Sequence, residues 1–98
     1  MFNSKTILIT GGTGSFGSTC VQYLLKKCKP KKVIVFSRDE LKQYELSNFL
    51  IDKGYDSERI RFFLGDVRDQ ARLNLAFKDV DFVIQAAALK QIPAAEYN

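Results

Sequence analysis

The first feature of the sequence that could do chemistry is a glycine run at residues 10–17, which reads TGGTGSFG. It places Gly11, Gly14 and Gly17 at three-residue spacing, after an aliphatic run and before a stretch with helical spacing. In that context the glycines allow a tight turn, an unobstructed approach of the backbone to an anion, and close packing of a helix on a strand. The backbone N–H groups that would face the anion belong to Thr13, Ser15 and Phe16.

The anion predicted for this loop is the pyrophosphate of a dinucleotide. A Walker A phosphate loop is excluded, because no Gly-Lys-Ser or Gly-Lys-Thr follows the glycines. The alternative is a glycine turn that only connects a strand to a helix.

The residues that would choose between dinucleotides lie about 20 positions past the last glycine, where the next strand should end. NAD-binding folds place an acidic residue there, whereas this sequence has Ser37, Arg38 and Asp39. A hydroxyl and a guanidinium suit the 2′-phosphate of NADP, since arginine offers planar, charge-assisted donors. Asp39 weakens this preference for NADP if its carboxylate points in the same direction as the Arg38 side chain. In the alternative interpretation Ser37 caps a helix and Arg38 is a solvated surface residue.

Two further groups of residues follow predicted strands. Asp66 could accept a hydrogen bond from the adenine amino group, and Val67 could pack on the adenine ring. Alternatively, Asp66 only braces its loop. Three small side chains, Ala86, Ala87 and Ala88, would let the cofactor lie close to the backbone, although they would suit an ordinary core equally well.

The elements that must position these groups follow from the hydrophobic pattern. Apolar clusters at residues 6–10, 32–36, 60–64 and 81–85 predict short strands with both faces buried. Stripes at helical spacing predict three helices, carried by Phe16, Val21, Leu24, Leu25 and Cys28; by Leu41, Tyr44, Leu50 and Ile51; and by Leu73, Ala76 and Phe77. The predicted helix boundaries are Pro30 after the first helix, Gly54 after the second, a capping box from Ser37 to Glu40, and a cap at Asp69.

Alternating strands and helices predict an α/β fold, with a Rossmann-type parallel sheet, right-handed crossovers and helices on both faces. Residues 1–98 then form the N-terminal part of an NAD(P)-binding domain, about four βα units, without the substrate-binding and catalytic portion. The last predicted strand would have an unpaired edge, which predicts a homo-oligomer.

Composition narrows the function. With 98 residues, 46% hydrophobic and 27% charged, the chain is typical of one soluble domain. We expect a cytoplasmic protein, because no apolar run is long enough for a membrane span and a strand begins too early for a signal peptide. The absence of histidine excludes a Ser-His-Asp or Cys-His centre and, with only two cysteines, leaves almost no ligands for zinc. Cys20 and Cys28 lie about 12 Å apart along one helix and should be reduced.

The net charge of +4 does not indicate nucleic-acid binding. Five of the 15 basic residues lie close together at the end of the first predicted helix: Lys26, Lys27, Lys29, Lys31 and Lys32. The other 10 are balanced by 11 acidic residues. The excess is therefore local, and it complements the helix dipole.

Four segments in this order and spacing resemble a known family: TGGTGSFG, FSRDELKQYE, RFFLGDVRD and AAALKQIPAAEYN. They look like the N-terminal half of an inverting UDP-N-acetylglucosamine 4,6-dehydratase, one of the extended short-chain dehydrogenase/reductases of bacterial surface glycan synthesis. The resemblance implies a lyase that holds NADP permanently. Hydride leaves C4 of the sugar, a base removes the C5 proton, the C6 hydroxyl departs as water, and the hydride returns to C6 with inversion at C5.

By the same resemblance, the glycine loop holds pyrophosphate, Ser37 and Arg38 hold the 2′-phosphate, and Lys90 lies near the nicotinamide and the sugar. Gln85 occupies the position at which members of this family commonly have a histidine. The family's acid and base, an Asp-Lys pair and a Tyr-x-x-x-Lys motif, would lie beyond Asn98, so we expect no turnover from these residues alone. Tyr23 and Lys27 match Tyr-x-x-x-Lys on the wrong helix. The alternatives are a non-catalytic NADP-binding module and a related epimerase or reductase.

Overall fold

The computed structural model describes residues 2–11 and 13–86. Strands and helices alternate along the chain, in the order β1 (Thr6–Thr10), α1 (Ser15–Lys27), β2 (Lys32–Ser37), α2 (Glu40–Asp52), a 3-10 turn (Ser57–Arg59), β3 (Ile60–Leu64), α3 (Gln70–Phe77) and β4 (Phe82–Gln85). All four predicted strands and all three predicted helices are present, so the alternating pattern is confirmed.

The four strands form one parallel sheet in the order β3-β2-β1-β4. In register, Ile7 of β1 lies opposite Val33 of β2 on one side and Phe82 of β4 on the other. The chain therefore moves outward from β1 through β2 to β3 and then returns to the opposite side of β1. This reversal places a crevice at the carboxyl ends of the strands, which is where open α/β sheets bind ligands.

Helices cover both faces of the sheet, as predicted. On one face, Ile7, Ile9, Val33 and Val35 pack with Val21 and Leu24 of α1 and with Leu46 and Leu50 of α2. On the other face, Leu8, Ile34 and Phe36 pack with Ala76 of α3, and Leu73 and Phe77 lie against them. Because successive strand side chains point to opposite faces, the continuous apolar runs of β1 and β2 supply both cores at once.

The expectation that every strand is buried on both faces is wrong for β3 and β4. None of their side chains is fully buried: those of β4 alternate between partly buried and exposed, and those of β3 are partly buried except at Arg61 and Leu64, which are exposed. Val83 of β4 is 41% exposed. The reason is position: within the described residues β1 and β2 have a neighbouring strand on each side, whereas β3 and β4 are paired on one side only.

The predicted apolar stripe of α2 is also largely wrong. Leu41, Tyr44 and Ile51 are 64%, 65% and 51% exposed, and of the predicted stripe only Leu50 is fully buried. The buried face consists of Gln43, Leu46 and Leu50. The sequence prediction chose the wrong side of α2, because the first position of the buried face is occupied by a polar residue, Gln43.

The predicted caps have mixed outcomes. The capping box from Ser37 to Glu40 is wrong, because Ser37 belongs to β2 and the N-cap of α2 is Asp39, whose carboxylate accepts from the Lys42 N–H at 3.0 Å. The predicted cap at Asp69 is confirmed, since its carboxylate accepts from the Arg72 N–H. Gly54 follows α2 with φ +88°, as expected for a glycine that ends a helix.

Cys20 and Cys28 are free thiols, as predicted, and burial raises the pKa of Cys20. No helix in the described part of the chain is both long and apolar enough to cross a membrane.

Candidate functional site

The glycine run forms the turn from β1 into α1. Gly11 has φ +70°, a conformation that side chains disfavour, and its N–H donates to Phe36 O of the neighbouring strand at 2.9 Å. Gly14 is the N-cap of α1 and has no side chain to satisfy the first turn, whose N–H groups lack acceptors within the helix. Gly17 is buried in that first turn. The loop therefore presents a helix N-terminus at the carboxyl end of β1.

A cleft of about 480 Å³ opens at this edge of the sheet, along the carboxyl ends of β1, β2 and β3. It brings together seven of the residues predicted to bind the cofactor: Gly11, Thr13, Gly14, Ser37, Arg38, Asp66 and Val67. These come from three separate loops, which the parallel sheet aligns at one end.

The end of β2 is fixed by hydrogen bonds to its neighbours. Ser37 O accepts from the Gly65 N–H at 2.8 Å, which joins the loops after β2 and β3. Gln43 of α2 donates from Nε2 to Ser37 Oγ at 2.9 Å and to two backbone oxygens, Ser37 O and Phe63 O, each at 3.2 Å. Ser37 and Gln43 are both largely buried, so this arrangement forms the floor of the cleft, where Ser37 also belongs to its lining.

Arg38 extends over the cleft with a largely exposed side chain. One of its guanidinium nitrogens, Nη1, lies 3.4 Å from Oδ2 of Asp66. The neighbouring Asp39 carboxylate caps α2 by accepting from the Lys42 N–H, so it is already engaged.

Asp66 carries the strongest electrostatic perturbation of the site. Arg68 donates to it from Nη2 at 2.7 Å, from Nε at 3.1 and 3.2 Å, and from its own backbone N–H at 2.9 Å. These hydrogen bonds, with the charges of Arg68 and Arg38, hold the pKa of the Asp66 carboxyl far below its usual range, and the same pairing raises the pKa of Arg68. Asp66 is therefore a carboxylate at all physiological pH values.

The floor of the cleft depends on a close approach at Gly65. A Cβ at this position would lie 2.7 Å from Cγ of Arg72 and 2.8 Å from Cζ of Phe36, distances that real side chains essentially never adopt. Phe36 in turn stacks on Phe63, with ring centroids 5.7 Å apart. The adjacent Val67 is 49% exposed, which leaves an apolar surface open at the mouth of the cleft.

Other predicted residues lie elsewhere or are not described. Ala86 is buried at the end of β4, while Ala87, Ala88 and Lys90 lie outside the described residues. Ser15 and Phe16 begin α1, so their backbone is where the sequence predicted it. Tyr23 and Lys27 lie farther along α1, away from the cleft lining, and Tyr23 is mostly exposed.

Sequence reasoning missed three polar side chains of the site among the described residues. Lys42 and Arg68 line the cleft, and Gln43 holds its floor. Lys42 would have been found if Asp39 rather than Ser37 had been taken as the N-cap, because it then lies in the first turn of α2 beside the end of β2. Nothing in the sequence pattern pointed to Gln43 or Arg68, because their partners were not recognised.

Comparison with known proteins gives consistent results. An inverting UDP-N-acetylglucosamine 4,6-dehydratase of Campylobacter jejuni is 58% identical over 98 residues, which are 100% of this chain and 28% of that protein. A UDP-glucose 4-epimerase of Rickettsia bellii is 45% identical and covers 99% of this chain and 28% of its own length. The X-ray structure of Pen from Bacillus thuringiensis superposes with a TM-score of 0.80 at 39% identity, over 100% of this chain and 28% of that one.

The chain thus spans 28% of the length of these relatives. The resemblance inferred from the sequence motifs is confirmed, and so is the Rossmann-type fold. Residues 7–98 match the family described as "Polysaccharide biosynthesis protein", and the chain belongs to that family.

Proposed function

We propose that this chain is the NADP-binding part of a nucleotide-sugar 4,6-dehydratase that acts on UDP-N-acetylglucosamine in the cytoplasm. The observation that carries the proposal is the convergence of the glycine loop, Arg38 and Asp66 on one cleft. The 58% identity to a dehydratase of that specificity supports the substrate, and the match extends over the whole chain.

The cleft has the charge that a phosphorylated dinucleotide requires. Among the described residues, three cationic side chains line it, Arg38, Lys42 and Arg68, against two carboxylates, Asp39 and Asp66. The carboxylates are already engaged by the α2 cap and by Arg68. Arg38 and Lys42 are therefore the cations that remain for an incoming phosphate.

In the proposed complex, the first-turn N–H groups of α1 hold the pyrophosphate and Arg38 holds the 2′-phosphate. Arg38 exchanges its 3.4 Å contact with Asp66 for a phosphate of higher charge. A hydrogen bond to a charged group contributes about 1.5–3 kcal/mol, so Arg38 favours NADP over NAD by about tenfold to a hundredfold.

The adenine ring fits the part of the cleft formed by the loop after β3. Val67 offers the apolar surface on which a flat ring packs, and Asp66 offers acceptor oxygens to the adenine amino group. Because Arg68 already donates to both of these oxygens, the amino group would use the lone pairs that remain. Arg68 keeps the carboxylate in place for this contact.

NADP supplies a hydride acceptor and donor, and the described residues of this chain bind and orient it. Hydride transfer from C4, proton removal at C5 and loss of water from C6 also need an acid and a base, which the family pattern places beyond Asn98. We therefore propose that residues 1–98 bind the cofactor without turnover.

Cofactor preference is tested by calorimetric titration of NADP and of NAD against the wild type and Arg38→Ala. We expect Arg38→Ala to lose about tenfold to a hundredfold in NADP affinity and little in NAD affinity. Arg61→Ala is the matched control, because Arg61 is an arginine of β3 outside the cleft lining and lies over the Phe63 ring. An unchanged NADP preference in Arg38→Ala would contradict the assignment.

A second candidate function is epimerisation, which the 45% identity to a UDP-glucose 4-epimerase favours. The two activities differ in their products, because dehydration lowers the mass of the sugar by one water and epimerisation leaves it unchanged. Mass spectrometry of the products formed by the full-length protein from UDP-N-acetylglucosamine separates them. A protein that binds NADP and forms neither product would be a non-catalytic binding module.

A further inference from the structure

We propose that Gln43 is a positioning residue that forces the Ser37 hydroxyl to donate its hydrogen bond into the cleft, toward the cofactor phosphate. This inference rests on the proposed function, in which Ser37 and Arg38 hold the 2′-phosphate. The structural basis is the contact between a buried amide on α2 and the last residue of β2.

The orientation of the Gln43 amide follows from its partners. Two of the atoms near Nε2 are backbone carbonyl oxygens, Ser37 O and Phe63 O, each 3.2 Å away. Carbonyl oxygens only accept hydrogen bonds, so the NH2 end of the amide must face them. The flipped amide would place Oε1 against both carbonyls in a buried site, where unpaired polar atoms are costly.

This orientation determines what Ser37 can do. Nε2 lies 2.9 Å from Ser37 Oγ, and an amide nitrogen donates but does not accept. The two hydrogens of Nε2 are shared among these three oxygens, and Ser37 Oγ can act only as an acceptor in this contact, so its own hydrogen remains for another acceptor. Because Ser37 lines the cleft, an anion bound there is an acceptor within reach.

The consequence is selectivity for a phosphate over a hydroxyl. A hydrogen bond from Ser37 to a phosphate oxygen is charge-assisted, whereas one to the unmodified ribose of NAD is neutral and weaker. Arg38 lines the same cleft as Ser37, so in the proposed complex both groups act on the cofactor at the end of β2. Gln43 thus contributes to the NADP preference without contacting the cofactor.

The test compares Gln43→Met with the wild type by calorimetry, using NADP and NAD. Methionine keeps the length of the side chain and removes its donor. We expect the ratio of NADP affinity to NAD affinity to fall about tenfold. Gln70→Met is the matched control, because Gln70 is an exposed helix glutamine that bonds Asn74, and it should leave the ratio unchanged.

A purely structural role for Gln43 predicts a different result, since a loosened cleft floor weakens both cofactors alike and leaves their ratio unchanged. A double-mutant cycle with Ser37→Ala adds a second criterion. In the Ser37→Ala background, Gln43→Met should have no further effect on the ratio, because the hydroxyl on which it acts is gone. A further fall of tenfold there would overturn the inference.

The outcomes separate this inference from the proposed function. Wild-type protein that binds no NADP overturns both. Wild-type NADP preference that persists in Gln43→Met overturns only the positioning role. If Gln43→Met does not fold, the Ser37→Ala variant decides, because it keeps Gln43 in place. An NADP-to-NAD preference that falls by less than about tenfold in Ser37→Ala overturns the inference.

Discussion

The Asp66 carboxylate contacts two arginines at different distances. Arg68 holds it through both side-chain and backbone hydrogen bonds, at distances down to 2.7 Å, whereas Arg38 reaches it only at 3.4 Å. The tighter contact keeps Asp66 in place, and the looser one leaves Arg38 exchangeable. In the proposed complex, the cofactor phosphate would displace only an exposed ion pair, a type of contact that contributes little to stability.

Two glycines of the cleft should respond differently to the same substitution. Gly14 has φ −76°, and among the described residues a Cβ there would meet Gly11 O at 3.5 Å, an ordinary contact, whereas a Cβ on Gly65 would overlap Arg72 and Phe36. We expect Gly65→Ala to lower the free energy of unfolding by about 1–3 kcal/mol through overpacking. Gly14→Ala should change it by less than about 0.5 kcal/mol and weaken NADP binding instead, because the methyl group enters the cleft.

Urea unfolding of the two variants, followed by NADP titration, checks this prediction. Equal losses of stability would show that the space around Gly65 relaxes easily. Full NADP affinity in Gly14→Ala would show that the backbone at this position does not approach the cofactor.

At the scale of elements, α2 is the helix whose buried face the sequence did not reveal. Leu46 packs in the core with Leu50, while Leu41 is 64% exposed. Leu46→Ala should lower the free energy of unfolding by about 2–5 kcal/mol, as large-to-small core changes do. Leu41→Ala is the matched control on the same helix and should change it by less than about 0.5 kcal/mol. Comparable effects of both changes in thermal or urea unfolding would contradict the observed face.

The strands were predictable because their signal is local. β1 and β3 occur at the predicted residues, since short apolar runs bounded by turns are typical of strands. The face of α2 was not predictable, because Gln43 interrupts the apolar periodicity from a buried position. Its burial makes sense only once the carbonyl of Phe63, 20 residues away, is known to be its acceptor.

Part of the candidate site was predictable from the sequence and part was not. The glycine loop and the residues at the strand ends could be predicted, because a parallel sheet necessarily brings its carboxyl ends together. The hydrogen bonds between those loops could not, because they depend on which side chains meet across them. Arg68 on Asp66 and Gln43 on Ser37 are two such contacts.

For the whole molecule, the cleft joins segments that are far apart in sequence. Its lining runs from Gly11 to Arg68 and includes the ends of three strands that together contact both cores. A ligand bound there contacts much of the folded sheet and loses these contacts on unfolding. Cofactor binding should therefore be visible as stabilisation of the entire fold, and the predicted homo-oligomer stays a separate prediction.

Thermal unfolding in the presence of each cofactor tests this coupling. At an NADP concentration about 100 times its dissociation constant, binding adds about 2.7 kcal/mol to the free energy of unfolding. For a domain of this size, about 4–8 °C per kcal/mol corresponds to a rise in Tm of roughly 10–20 °C. NAD at the same concentration, bound about tenfold to a hundredfold more weakly, should add only about 0.4–1.4 kcal/mol. Arg38→Ala should bring the NADP shift down to the NAD value, because the two cofactors differ only in the phosphate that Arg38 holds. Equal shifts from both cofactors in the wild type would mean that the arginine at the end of β2 does not select the phosphorylated ribose.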